Sequence, residues 1–480
     1  MIMRTRKIVS YIAAGWIALI FAGCNLPSNI VKRDEHTATP DAFKAEQDTT
    51  NTAKVKWKDY FTDPYLAQLI DTALSNNQEL NIVLQEINIA QNEVTARTGA
   101  YLPFLNVGGN AGVEKTARYT RSGAVEANTE IAAGKEFPDP LPNYMVGATV
   151  SWELDIWKKL RNAKKSAVHR YLASIEGKNF MVTNLIAEIA SSYYELMALD
   201  NQLIILKQNI EIQQNALEIV KLEKQAAKVT ELAVRRFEAE VLKNQSRIFY
   251  IQQAIVVTEN RVNFLVGRFP QPVLRNSQTF ADLIPTTIHE GIPSQLLANR
   301  PDIRQAEQEL AAAKLDVKSA RANFYPSLLI TAGAGFQAFN SQYLFTTPQS
   351  LIYTLAGDLV APLINRKAIK AAYYSANSKQ IQDVYNYERT ILNAYIEVAN
   401  QLSNINNLES SYNLKTQQVQ ALVQSIDIST GLFRSARADY MEVLLTQRDA
   451  LEARFELVET KMLQLHATVS IYQALGGGWN

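Results

Sequence analysis

The distribution of proline constrains this chain more than any other feature of its sequence. None of the 15 prolines among the 480 residues falls within residues 143–269 or residues 363–480. Because proline breaks helices, these windows of 127 and 118 residues permit very long helices. Each window has one weak point near its middle, at residues 226–230 and 435–439. We therefore predict two helical hairpins, over about residues 157–267 and 365–475, with legs of roughly 40–70 residues.

Apolar residues recur every seven positions in both windows, which is the pattern of helices packed in coiled coils. Thr230 and Asp439 follow the two weak points and are suitable helix N-caps. The long helices are therefore expected to pack along the repeating positions. These positions are Ile189, Leu196, Leu203, Ile210 and Leu217 in the first window, and Leu444, Leu451, Val458, Leu465 and Tyr472 in the second.

Four stretches outside the helical legs alternate apolar and polar residues, at about residues 103–113, 144–155, 327–337 and 351–362. Each has the length of a tilted strand that crosses a bilayer, although alternation alone also fits hairpins of a soluble sandwich. Strands in a membrane must form a closed sheet, because no backbone group can stay unpaired there. Membrane barrels begin at about eight strands, so one chain cannot close a barrel. Two copies would supply eight strands and three copies twelve, and the residues alone do not choose between them.

The chain contains two copies of one unit. Residues 100–103 match residues 323–326 at an offset of 223, whereas residues 188–190 match residues 397–399 at an offset of 209. The 14-residue difference falls between Pro103 and Glu153, in a stretch that we predict to be a loop. We therefore expect two structural repeats, over residues 61–285 and 286–480. Chance similarity between two coiled coils would imitate only part of this order.

The N-terminus has the features of a secretory signal. Basic residues precede an apolar run over residues 8–23, which ends at Cys24, the only cysteine. This ending resembles a bacterial lipobox, and the alternative is a buried free cysteine after an ordinary signal. The resemblance implies a signal peptide over residues 1–23, acylation of Cys24, and a lipidated tether over residues 24–60. Asn25 after the cysteine implies sorting to the outer membrane.

Charge and composition exclude several classes of function. The chain has 48 basic and 47 acidic residues, which gives no electrostatic case for binding nucleic acid. One cysteine and four scattered histidines offer neither a disulfide nor a metal site. No phosphate-binding G-x-x-x-x-G-K-[ST] loop is present. We therefore expect no enzyme, no metal and no cofactor other than the covalent lipid on Cys24.

Four segments are distinctive, namely Ser151–Trp157 followed by Lys158–Arg161, Asn299–Ile303, Ala361–Leu363 and Ala474–Trp479. Together they resemble the TolC-type outer-membrane efflux channels, in particular the lipoprotein subgroup that serves resistance–nodulation–division pumps. The resemblance implies a mainly α fold with a membrane β part, in which a homotrimer forms one twelve-stranded barrel and a helical tunnel across the periplasm. It also implies a passive duct that exports small molecules with a periplasmic adaptor and an inner-membrane pump.

The resemblance also implies a gate just after the second hairpin turn. Met441 falls on the position of an apolar constriction, and Glu442 falls on one position of a gate acid. Leu445 occupies the other common acid position, which is a departure from the family pattern. A ring of Glu442 carboxylates in a narrow pore would favour cations. The alternative is that Glu442 is a solvated residue of a coiled coil.

A second site is expected where a strand meets a helix, at Trp152, Glu153, Asp155 and Trp157. Glu153 and Asp155 share a strand face, as acid–base carboxylates do, but a polar lumen face explains that spacing better. Asp155 is also suited to cap a helix that begins at Ile156. Aromatic residues at the strand ends are typical of the interfacial girdles of a membrane barrel. They are Tyr101, Phe104, Trp152, Trp157, Phe324 and Tyr325.

Two other functions remain open at this point. A channel for type I protein secretion would use the same architecture, and a non-conducting structural envelope lipoprotein would use the same heptads and anchor. The structural lipoprotein needs neither four alternating membrane strands nor internal repetition. A conductance measurement separates it from a channel.

Overall fold

The computed structural model describes residues 31, 33–43, 49–286, 288–362, 366–435 and 437–479. The predictions of a signal peptide and of lipid attachment at Cys24 lie outside the described residues. The main elements are α1 (Pro64–Asn76), α2 (Gln78–Tyr101), β1 (Phe104–Glu114), β2 (Leu141–Leu154), α3 (Lys159–Gln225), α4 (Glu231–Val266), α5 (Pro301–Ala322), β3 (Ser327–Ala338), β4 (Leu351–Val360), α6 (Lys367–Arg434) and α7 (Tyr440–Ala474).

Four long helices confirm the two predicted hairpins. Helices α3, α4, α6 and α7 contain 67, 36, 68 and 35 residues, so the longest extends about 100 Å at 1.5 Å per residue. Thr230 caps α4, because its hydroxyl accepts a hydrogen bond from the backbone N–H of Ala233. Asp439 occupies the N-cap position of α7 but makes no side-chain cap hydrogen bond. Among the described helices, none combines the length and apolar character needed to cross a membrane.

The four predicted strands form one antiparallel sheet in the order β1-β2-β3-β4. The strands contain 11, 14, 12 and 10 residues, which suits tilted strands in a bilayer. Val107, Ala148, Ala334 and Tyr353 lie opposite one another in a row across the sheet. β1 and β4 are the two edges, and in the described chain each pairs with one neighbour only.

The loops of the sheet account for the difference between the two repeats. Residues 115–140 connect β1 to β2, whereas residues 339–350 connect β3 to β4. These loops contain 26 and 12 residues, a difference of 14. The longer loop holds a short helix, Arg121–Ala127, and a small hairpin. The insertion therefore lengthens a connection and leaves the repeated strands and helices in place.

The described residues divide into two units. The strand unit comprises residues 89–171 and 308–384 with the described residues before 35, and it contains the whole sheet. The helical unit comprises residues 35–88, residues 172–307 and the residues from 385 onward. Its core consists of apolar clusters along the long helices. Most of the predicted heptad positions are buried there: Ile189, Leu196, Ile210, Leu217, Leu451, Leu465 and Tyr472.

The prediction of a polar tether over residues 24–60 is wrong for its last part. Trp57–Tyr60 is a short helix, and both Trp57 and Tyr60 are buried in the core of the helical unit. The Tyr60 ring stacks on Tyr472 with 4.1 Å between centroids, and its hydroxyl donates to the carbonyl of Thr468 at 2.8 Å. Large aromatic side chains gain much from burial when their polar end finds a partner. The burial of Trp57 and Tyr60 therefore holds residues 57–60 against the core of the helical unit.

Candidate functional site

The junction between β2 and α3 is organised by Asp155. Its carboxylate accepts hydrogen bonds from the backbone N–H groups of Leu160 at 3.0 Å and Arg161 at 2.8 Å. The Arg161 guanidinium lies 3.2 Å from the same carboxylate, whose side chain is only 2% exposed. Asp155 therefore caps the helix, as the sequence predicts, but α3 begins at Lys159 and not at Ile156. The backbone first turns at Lys158, which has a positive φ of 60°.

The two junction tryptophans contact the matching segments of the two repeats, residues 100–103 and 323–326. The Trp157 ring stacks on Tyr325 with 4.6 Å between centroids, and its Nε1 donates to the carbonyl of Pro326 at 2.7 Å. The Trp152 Nε1 donates to the carbonyl of Tyr101 at 3.2 Å. These contacts join two matching segments of the repeats at one end of the sheet.

Phe324 does not belong to an exposed aromatic girdle, contrary to the sequence prediction. Its side chain is 2% exposed, its ring packs edge-on against Tyr373, and the Arg366 guanidinium lies 5.0 Å from the ring centroid. Residues close to a strand end in sequence can still face the interior. Here Phe324 precedes β3 and turns into the strand unit.

The two carboxylates of the junction are each held by a separate cation. Lys159 Nζ lies 2.5 Å from Glu153 Oε1, whereas Asp155 binds Arg161. Each carboxylate thus has its charge compensated by its own partner. This arrangement positions a helix and leaves no free pair for acid–base chemistry.

The three predicted gate residues lie in the first two turns of α7. Glu442 is exposed and Leu445 is 38% exposed. Met441 is half-buried, with its Sδ 2.9 Å from Arg236 Nη1. The neighbouring Tyr440 and Leu444 pack on an apolar cluster formed by residues of α3 and α4. The side chains of Glu442 and Leu445 therefore project away from the core of their own chain and are available to an assembly.

A network around Arg300 was not predicted from the sequence. Arg300 is 5% exposed, and its guanidinium binds both carboxylate oxygens of Asp302 at 3.0 and 2.7 Å. Its Nη1 also donates to Glu397 at 2.7 Å and to the carbonyl of Ala474 at 2.8 Å. Burial lowers the pKa of Arg300, but the hydrogen bonds and charges of Asp302 and Glu397 raise it overall. Asn299–Ile303 is one of the segments that carry the family resemblance, but no local spacing links Arg300 to partners 97 and 174 residues away.

The same network fixes the glycine-rich C-terminal segment. Trp479 Nε1 donates to the carbonyls of Asn299 at 3.1 Å and Gly476 at 2.9 Å. The Arg304 guanidinium lies 5.1 Å from the Trp479 ring. Gly476 has a φ of +90°, and a Cβ there would lie 2.6 Å from the Asn299 carbonyl oxygen. Two of the segments that carry the family resemblance thus contact each other directly.

The described residues contain no group of three or more histidine, cysteine, aspartate or glutamate side chains suited to hold a metal ion. The polar side chains of the junction and of the Arg300 network have protein partners. These sites are therefore suited to fixing helix ends, while the exposed start of α7 is suited to contact with other chains.

Comparison with known proteins gives relatives over most of the chain. OpmQ of Pseudomonas putida, a pyoverdine export outer membrane protein, is 29% identical over 424 residues, which cover 88% of each protein. The cation efflux system protein CusC of Escherichia coli strain K12 is 25% identical over 470 residues, covering 96% of this chain and 98% of CusC.

The crystal structure of the open MtrE outer membrane channel of Neisseria gonorrhoeae has the same fold. It superposes with a TM-score of 0.82 at 21% identity, covering 95% of this chain and 99% of that one. The family model of outer membrane efflux proteins matches residues 69–268 and 292–477, one segment in each predicted repeat. The chain therefore belongs to the outer membrane efflux protein family, a family of outer-membrane transport channels.

Proposed function

We propose that three copies of this chain close one barrel of twelve strands and form a passive duct through the outer membrane. The observation that carries this proposal is the open four-stranded sheet, whose edge strands β1 and β4 contain 11 and 10 residues. Unpaired backbone groups are too costly to remain exposed to lipid. Because the four strands alternate in direction, β4 of one copy runs antiparallel to β1 of the next. The pairing pattern therefore continues from copy to copy.

A trimer suits a duct better than a dimer does. Two copies would give eight strands, and the interior of an eight-stranded barrel is filled by its own side chains. Twelve strands are the next number that this protomer can supply, and the family resemblance implies the same number. A wider barrel leaves room for cargo to pass.

Exposed apolar side chains on α4 also favour assembly. Phe249, Tyr250 and Phe264 are 71%, 76% and 64% exposed in the single chain. Val256 and Val257 on the same helix are 48% and 57% exposed. Several large apolar side chains exposed on one helix are typical of an interaction surface. We assign this surface to contact with neighbouring subunits of the trimer.

We infer that the duct carries small molecules and has no catalytic role. The names of the relatives refer to pyoverdine and to cations, which differ in chemistry but are all small. Transport energy then comes from partners, namely a periplasmic adaptor and an inner-membrane pump of the resistance–nodulation–division class. Type I secretion of a polypeptide is the second candidate, because it would use the same open sheet and long helices.

Lipid attachment at Cys24 is part of the proposal. The apolar run before this single cysteine supports it, and a relative named as a probable outer membrane lipoprotein, SilC of Salmonella typhimurium, is 23% identical over 472 residues. Multiple acyl chains give stable membrane anchoring. Mass spectrometry of the mature protein tests this, with a Cys24→Ser variant as the unmodified control.

We propose that Met441, Glu442 and Leu445 line the narrow end of the duct. The exposure of Glu442 and Leu445 at the start of α7 supports this assignment, and the half-buried Met441 lies in the same turns of the helix. Glu442→Gln is then expected to lower cation selectivity, measured as a smaller reversal potential across a salt gradient in planar bilayers. Glu238→Gln removes an exposed carboxylate paired with Arg235 on α4 and is the control. An unchanged reversal potential in the Glu442 variant would reject the gate assignment.

Two measurements test the proposed function. The purified protein should give stable conductance steps in planar bilayers. If no conductance is measured, the result would favour a structural envelope lipoprotein. A deletion strain should become more susceptible to at least one of three cargo classes, namely drugs, bile salts and metal ions. Loss of a secreted polypeptide without any change in susceptibility would favour type I secretion.

A further inference from the structure

The strand unit carries concentrated positive charge at one end of its sheet, where β2 and β4 end and β3 begins. Residues 158–165, 318–326 and 366–370 contain ten lysines and arginines and no aspartate or glutamate, whereas the whole chain has a net charge of +1. The first segment follows β2, the second precedes β3 and the third follows β4. Because these strands are antiparallel neighbours, all three segments lie at the same end of the sheet. We call these ten side chains the basic collar.

Most of the basic collar is not neutralised by the protein. Lys159 and Arg161 bind the two junction carboxylates described above, and Arg366 packs over a phenylalanine ring. In the described part of the chain, no aspartate or glutamate forms an ion pair with the other seven. Six of the seven are exposed, namely Lys158, Lys165, Lys318, Arg321, Lys367 and Lys370, and Lys164 is half-buried.

At two positions of the collar, both repeats carry a cation. Lys158 and Lys367 are related by the offset of 209, and so are Arg161 and Lys370. Each pair lies just after the end of a strand, at the start of a long helix. Surface lysines and arginines that served only solubility would not need to recur at matching positions of the two repeats. The recurrence points to one function that both halves of the chain share.

The aromatic pair at the junction indicates the depth of the collar in the membrane. The Trp157 side chain is 45% exposed, while its ring stacks on Tyr325 and its Nε1 is hydrogen-bonded to Pro326. Tryptophan with one apolar face and one satisfied polar group settles at the boundary between lipid and water. Lysine side chains within the next turns of helix reach the phosphate layer with their ammonium groups.

We propose that the basic collar binds the phosphate groups of anionic phospholipids in the periplasmic leaflet of the outer membrane. This proposal rests on the proposed barrel, because the barrel sets which end of the strands meets that leaflet. Uncompensated lysine and arginine clusters beside a membrane segment attract anionic headgroups electrostatically. The collar would thereby select phosphatidylglycerol-like lipids over zwitterionic ones and hold the barrel at a fixed depth.

The test is native mass spectrometry of the detergent-solubilised assembly titrated with phosphatidylglycerol. Phosphatidylcholine of the same acyl chains and free inorganic phosphate are the comparison ligands. The collar variant is Lys158→Gln with Lys367→Gln, the two equivalent positions of the repeats. The control variant is Lys207→Gln with Lys228→Gln, two exposed lysines of the helical unit. Each lysine or arginine near an anionic lipid surface strengthens binding to it about five-fold. The collar variant lacks two such charges, so it should bind phosphatidylglycerol about 25-fold more weakly.

The expected result is preferential binding of phosphatidylglycerol by the wild type and by the control variant, but not by the collar variant. Equal binding of both lipids by the wild type, or unchanged binding in the collar variant, overturns the proposal. Tight binding of inorganic phosphate without lipid preference also overturns it, since the cations would then face an aqueous lumen. The same spectra report the mass of the assembly. A trimer without lipid preference refutes the collar alone, whereas absence of a trimer refutes the proposed barrel.

Discussion

Replacing Arg300 by methionine tests whether the buried network holds the helical unit together. The Arg300 side chain is 6% exposed and that of Asp302 is 18% exposed, so the variant leaves a carboxylate poorly solvated. Removing one partner of a buried ion pair costs about 3–5 kcal/mol. Glu397 is 54% exposed, so its pair contributes only about 0–1 kcal/mol. The carbonyl of Ala474 loses its hydrogen-bond donor. If no water replaces that donor, the variant loses about 1–3 kcal/mol of further stability.

We therefore expect Arg300→Met to lower the free energy of unfolding by about 3–6 kcal/mol if water reaches the Ala474 carbonyl and by about 4–9 kcal/mol if it does not, with Asp302 as the main contributor. The measurement is a urea titration of the detergent-solubilised protein followed by circular dichroism. Protein concentration must be held constant, because the stability of an oligomer depends on it. Arg448→Met is the control, since Arg448 is 44% exposed and pairs only with the adjacent Asp449. It should change stability by less than about 0.5 kcal/mol.

A double variant separates the network from simple loss of side-chain packing. If Asp302 is destabilised by losing its cation, Arg300→Met combined with Asp302→Asn costs less than the sum of the single changes. The expected coupling is about 1–3 kcal/mol. Additive effects, or a cost for Arg300→Met no larger than that of Arg448→Met, would refute the reasoning.

Three further predictions use the same titration. Asp155→Ala removes the cap of α3 and should cost about 1–2 kcal/mol; an unchanged midpoint would contradict the capping role. Gly476→Ala places a Cβ 2.6 Å from the Asn299 carbonyl oxygen at a φ of +90°, which should cost about 1–3 kcal/mol, and a neutral effect would show that the segment relaxes. Burial lowers the pKa of His466, so the unfolded chain binds more protons and stability should fall as pH drops below about 6.5. His466→Gln should reduce this loss of stability at low pH. An unchanged dependence of stability on pH would show that other groups cause the loss.

The long elements could be predicted because their signals are local. Proline-free windows and heptads gave the four long helices, and alternation gave the four strands. Thr230 is a cap whose signal lies within three residues of its partner, Ala233. The loop insertion was also predictable, since an offset between repeats measures length without any knowledge of structure.

The remaining features depend on contacts between distant residues. Arg300 meets Glu397 and Ala474 only after folding, and Trp57 and Tyr60 lie in a polar stretch whose burial no periodicity indicates. Helix α3 begins three residues later than the sequence predicts. The reason is that Lys158 adopts a positive φ, which is uncommon for a residue with a side chain. Phe324 faces inward, where its ring packs against Tyr373, a residue 49 positions away in the sequence.

Cross-linking between sheet edges tests the central claim most directly, namely that one chain cannot close its own sheet. A cysteine at Val107 on β1 is combined in turn with a cysteine at each position of Leu351–Val360 on β4, in outer-membrane vesicles. A disulfide requires Cα atoms about 4.4–6.8 Å apart, so only paired edges will react. We predict cross-links at a few neighbouring positions, with products that reach a trimer and nothing larger. Products that stop at a dimer, or no cross-link at any position, would contradict the account.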